Sequence, residues 1–140
     1  MATVNAFTLS RSPVAERSYD YSDQATITAA PATGDLWNFL VIPAGTEIRS
    51  ITIQNADLGT AAPFDLGYTP LDGSTGDADA FLDDYAGGTA AAAGAAKTYL
   101  LATPVRVEKD SFLQALFGTI DTGASGAVTV AINGKLLGPK

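Results

Sequence analysis

Leu36-Trp37-Asn38-Phe39-Leu40-Val41-Ile42 runs into Pro43-Ala44-Gly45-Thr46 and then into Glu47-Ile48-Arg49-Ser50-Ile51-Thr52-Ile53-Gln54-Asn55. The aromatic and β-branched content of the first run favours a buried strand over a helix. The next four residues predict a turn, with Pro43 at its second position and Gly45 free to take positive φ. The last run alternates. It predicts Arg49, Ile51, Ile53 and Asn55 on one face and Ile48, Ser50, Thr52 and Gln54 on the other. Such alternation suits a sheet with one buried and one wet face.

Strand signals continue on both sides of this unit. Upstream, Ala25-Thr26-Ile27-Thr28-Ala29 is closed by Pro31. Downstream, Phe64, Leu66 and Tyr68 alternate with Asp65, Gly67 and Thr69. Further strands are expected at 98–102, 105–107, 111–117 and 127–133. Asn133-Gly134 predicts a type I′ hairpin, with Lys135-Leu136-Leu137 folding back. Residues 1–18, with Pro13 among them, read as an extended N-terminal arm ahead of a domain at 19–140. A long acidic and Ala/Gly-rich loop is expected at about 70–97. No helical period is sustained, and 140 residues suit one domain. The expected class is all-β: a jelly-roll-like β-sandwich of eight or nine short antiparallel strands.

The composition narrows the chemistry. There is no cysteine and no histidine. That removes disulfides, thiolate chemistry, imidazole bases and the usual zinc, copper and iron sites. Net charge is -7, from eight basic and fifteen acidic residues, and the basic ones are scattered singly. Phosphate binding needs a concentrated basic face, so neither nucleic acid nor an anionic membrane is an expected partner. The N-terminus does not read as a secretory signal, and no apolar run is long enough to span a bilayer.

Three segments are candidates for chemistry. Residues 71–85 concentrate five acidic residues. Asp77 and Asp79 are the best ligands there for a structural, oxygen-liganded cation, although the spacing matches no EF-hand. The competing reading is a solvated acidic loop anchored by Phe81, Leu82 and Tyr85. Glu16, Glu47 and Glu108 show no paired-carboxylate context, and Trp37 sits in an apolar run, so a glycosidase is not expected. Gly87 to Lys97 lacks the Gly-Lys-Ser/Thr ending of a phosphate loop. It reads as a flexible loop, or as a small-residue surface that lets a neighbouring subunit approach. No catalytic residue and no cofactor are expected.

The Ile42-Pro43-Ala44-Gly45-Thr46 turn, the strand from Ile48 to Asn55, Leu66-Gly67-Tyr68, the acidic 76–83 segment and the Val128 to Asn133 strand together resemble a known style. They resemble small virion structural proteins of tailed bacteriophages, of the capsid decoration or cement kind, over roughly 36–137. The resemblance implies a jelly roll or β-sandwich, oligomeric assembly and attachment to the outside of the head shell. The expected partners are the major capsid protein and copies of the chain itself, most simply in a trimer. The expected location is the virion surface, after synthesis in the host cytoplasm. The alternatives are another virion component, such as a head fibre or tail part, and a carbohydrate-binding or adhesin-like sandwich.

Overall fold

The computed structural model describes residues 3–5, 20–55, 63–86, 96–120 and 126–137. They form nine strands: β1 (Thr3–Asn5), β2 (Asp20–Ala29), β3 (Leu36–Ile42), β4 (Thr46–Asn55), β5 (Pro63–Pro70), β6 (Asp77–Ala86), β7 (Lys97–Val107), β8 (Ser111–Phe117) and β9 (Gly126–Leu136). No helix occurs among the described residues.

One sheet has the order β1-β3-β8-β5-β6 and the other β2-β9-β4-β7. Strand β2 pairs with β9, β3 with β8, β4 with β7 and β5 with β6, all antiparallel. The chain from β2 to β9 is thus one long hairpin, paired end to end. It is rolled so that β4 also meets β9 and β5 also meets β8. This is a jelly roll. The exception to antiparallel pairing is β1, which adds to the β3 edge in parallel. The expected arm therefore begins with a strand on its own sheet. Residues 6–19 lie outside the described set.

The two inner faces differ in chemistry. The four-stranded sheet contributes β-branched aliphatic side chains, among them Ile27, Ile51, Ile53, Val128, Val130 and Ile132. Among the described residues the five-stranded sheet contributes every buried aromatic ring: Trp37, Phe39, Phe64, Phe81, Tyr85 and Phe117. Branched side chains make a stiff floor on a pleated surface, and rings fill the space above it.

The central turn forms with one change of register. Thr46 N donates to Pro43 O at 3.2 Å, and Gly45 has φ of +81°. Pro43 is therefore the first turn residue and not the second, and Gly45 sits where a type II turn requires positive φ. Strand β4 departs from simple alternation. A bulge between Ile48 and Ser50 absorbs Arg49, so Ile48 faces inward together with Ile51 and Ile53. An extra residue resets the face of everything beyond it.

Two further expectations are corrected. Asn133-Gly134 is not a hairpin: β9 runs straight through it, and Gly134 pairs with both Tyr21 and Ile48. Glycine is needed here because the β4 bulge crowds it. A Cβ at Gly134 would lie 1.9 Å from Glu47 O. The long connection at 70–97 is shorter than expected, because Asp77–Ala86 is strand β6. Residues 87–95 lie outside the described set. An acidic composition argues against a strand locally, but the β5 edge supplies the partner that propensity cannot see.

Trp37 is fully buried and packs edge-on against Phe117 at 4.7 Å. Its indole Nε1 has no acceptor among the described residues, and the ring is held by packing against Phe39 and Phe117. Trp37→Ala should cost about 3–5 kcal/mol in denaturant unfolding. Trp37→Phe should cost clearly less, because it leaves a smaller hole and deletes an unpaired donor. Gly134→Ala should cost at least the ~1–3 kcal/mol of ordinary overpacking, since backbone and not a flexible side chain blocks the methyl.

Candidate interaction surfaces

Sheet edges come first, because an unprotected edge pairs with anything extended. The four-stranded sheet ends in β2 and β7. Asp23 pairs with the core residue Ile132, and Lys97 with the core residue Ile53. Both edge strands thus carry a charge at an inward-pointing position. Strand β7 also bulges between Leu100 and Val105 and holds Pro104 there. These features discourage indiscriminate edge pairing.

The outer face of the four-stranded sheet is different. Its central strands present Ser50, Thr52 and Gln54 from β4 and Thr129, Ala131 and Asn133 from β9. Thr26 and Thr129 hydroxyls meet at 2.7 Å, and Thr52 and Thr98 hydroxyls at 2.9 Å. A shallow depression lies over Ser22, Gln24, Ala131 and Asn133. Leu100, 83% exposed, stands at the β7 border. Four registered rows carry no charge. Charge is gathered at one end, in the row Asp20, Lys135, Glu47 and Arg106 across β2, β9, β4 and β7, with Arg49 of the bulge against Glu47.

On the five-stranded sheet the outer face is partly self-covered. Strand β6 bulges between Leu82 and Asp77, and a Cβ at Gly67 would lie 2.0 Å from Asp77 O. Glycine at 67 lets the two backbones come this close. Asn38 is buried on that face and accepts from Gln114 Nε2 at 2.8 Å, while Thr69 donates to Gln114 Oε1 at 3.0 Å.

Asp77 and Asp79 open β6 and are brought together in the open. The Asp79 amide donates to Asp77 Oδ1 at 3.4 Å. Hydrogen bonding to the Asp77 carboxyl, and then its like charge, hold Asp79 above the ordinary carboxylate value. Among the described residues no group of three or more potential metal ligands forms. Asp72 behaves oppositely. The Ser74 hydroxyl and amide, and then the Lys109 ammonium at 2.9 Å, hold it well below the usual range. Close by in sequence, Asp110 receives the Ala44 amide, which ties the central turn to the β7–β8 connection.

A carbohydrate-binding sandwich needs exposed rings on one face, and the described tyrosines are engaged elsewhere. Tyr85 is buried against Phe64, Tyr99 packs edge-on to Tyr85, and Tyr68 packs on Phe81. Tyr21 donates to Val41 O at 3.4 Å. Tyr19 lies outside the described residues. No stacking platform forms from the described tyrosines.

The fold has solved counterparts. It is similar to a chain of the capsid asymmetric unit of cyanophage Pam1, at 14% identity and TM-score 0.66, over 92% of this chain and 94% of that one. It is similar to a chain in the capsid of Ralstonia phage GP4, at 18% identity and TM-score 0.67, over 99% of both chains. A chain in the acidic stable capsid structure of Helicobacter pylori bacteriophage KHP30 matches at 15% identity and TM-score 0.58, over 86% and 90%. At these identities the shared property is the jelly roll. No protein-family model matches the sequence, and no curated protein matches it.

The two carboxylate clusters predict opposite pH behaviour. Asp79, raised in the fold, contributes stability at low pH that is lost as pH rises through its raised value. Asp72, lowered in the fold, contributes stability above its unfolded value that is lost on acidification. Asp79→Asn should raise the neutral-pH melting temperature and flatten its rise on mild acidification, whereas Asp72→Asn should lower the neutral value. Melting curves from pH 7 to about pH 4 test both, the lower limit being the ordinary Asp value. A calcium-induced rise that Asp77→Asn abolishes would mark the pair as a cation site.

Proposed function

We propose that the chain is a non-catalytic structural protein of a tailed-bacteriophage virion that decorates the outside of the capsid and stabilises it. The observation that carries this reading is the end-to-end match to a chain of a phage capsid, covering 99% of each. The correspondence runs over the whole of this domain and not over one part of it.

Charge supports an outer position. A chain of net charge -7 facing packaged DNA would be repelled by phosphate, whereas on the outside the same charge limits adhesion to nucleic acid in the host. The partner in this reading is the major capsid protein. A homotrimer multiplies a modest contact area per subunit, and linked contacts raise avidity steeply. No cofactor enters the reading: contact area between subunits supplies the energy.

Light scattering should give three times the 14.3 kDa chain mass. The protein should co-sediment with empty capsids of its phage, and image reconstruction should place it on the outer surface. Deleting residues 2–18 should weaken the oligomer or its capsid binding while the β-spectrum is retained. A chain that stays monomeric and leaves capsids in the supernatant would overturn the proposal.

A further inference from the structure

We propose that the outer face of the four-stranded sheet pairs with the same face of a second copy, across a two-fold axis running along the strands. The observation is the charged row that bounds this face. Reading across β2, β9, β4 and β7, it runs Asp20, Lys135, Glu47, Arg106: negative, positive, negative, positive.

A two-fold axis between β9 and β4, parallel to them, turns a second sheet over and reverses its strand order. Strand β2 then faces β7 of the other copy, and β9 faces its β4. Height along the strands is unchanged, so the charged row meets the charged row. Asp20 opposes Arg106, and Lys135 opposes Glu47. The two-fold repeats both pairs, and all four contacts join opposite signs. An isologous contact must be self-complementary, and this alternation is. Within one copy both Arg49 contacts are made to Glu47 Oε1, at 2.7 and 2.8 Å, rather than one to each carboxylate oxygen.

The rest of the face fits the same occupant. Two chains of charge -7 repel, so copies meet most easily where charge is absent, and the remaining rows are uncharged. Aligned packing of two sheets is a common geometry. Four strands about 4.8 Å apart, over roughly nine residues, give a footprint of about 500 Å² per copy. Two faces bury on the order of 1,000 Å², the lower limit for a specific contact. The pairing is therefore weak between free copies and gains force where copies are held in an array. If the free protein is a trimer, this contact joins one trimer to the next.

Mixing charge-reversed copies tests the geometry. Glu47→Lys sets an ammonium against the ammonium of Lys135, and Lys135→Glu sets a carboxylate against the carboxylate of Glu47. Each variant alone should therefore associate about tenfold or more weakly than wild type. An equimolar mixture restores opposite signs at both positions and should recover the association. Rescue by mixing is intermolecular and cannot come from repaired folding. Sedimentation equilibrium at low salt and high concentration reads it, with circular dichroism confirming the fold. Asp20→Lys with Arg106→Glu is a second pair under the same logic. Variants that associate like wild type alone, or a mixture without rescue, overturn the proposal. So does wild-type protein with no salt-sensitive association. Capsid co-sedimentation of the single variants is scored separately: unchanged binding leaves the decoration reading standing even where the pairing fails.

Discussion

A row of rings runs through the sandwich, and the rest of the fold is arranged around it. Trp37 on β3 meets Phe117 on β8 at 4.7 Å, Phe117 meets Phe64 on β5 at 5.1 Å, and Phe64 meets Tyr85 on β6 at 5.0 Å. Tyr85 then meets Tyr99 at 6.3 Å, and Tyr99 belongs to β7 of the other sheet. The row crosses four strands of one sheet and ends on the neighbouring edge of the second. Slipping any of these strands by one residue would turn its ring to solvent. The row therefore fixes register in one sheet and closes the flank where β6 and β7 come together.

Irregularities give the regular part its usable surfaces. The β4 bulge brings Ile48 into the core and leaves Glu47 in the outer row, at the cost of requiring glycine at 134. The β6 bulge lays acidic backbone over Gly67 and covers part of the five-stranded sheet. These two bulges each face a glycine on a neighbouring strand, because two backbones cannot approach that closely past a Cβ. One sheet thus becomes partly self-covered while the other keeps an open, mostly uncharged face. That asymmetry makes the two outer faces chemically distinct.

The described surface also separates attraction from protection. Charges at inward positions of β2 and β7, with Pro104, hinder pairing through the edges. The face between them has hydroxyls and amides that satisfy one another across strands, as Thr26 does with Thr129 and Thr52 with Thr98. Such an arrangement disfavours contact through backbone edges, where it is hard to limit, relative to contact through side chains, where charge pattern can specify a partner.

By itself the sequence determined the β class, the burial of Trp37, the positive φ at Gly45 and the exclusion of histidine and cysteine chemistry. These follow from period, residue volume, turn sterics and composition, all local properties. Tertiary structure decided what depends on strands distant in the chain. Gly134 reads locally as a hairpin glycine, yet it is a straight-strand residue, because β4, far upstream in the chain, crowds it. Asp77–Ala86 reads as loop, yet it is a strand, because β5 offers an edge. Asp77 and Asp79 are legible as a pair, but their mutual repulsion depends on the geometry at the start of β6. The alternating row of Asp20, Lys135, Glu47 and Arg106 exists only in register, since one-dimensional spacing holds no record of which strands lie side by side.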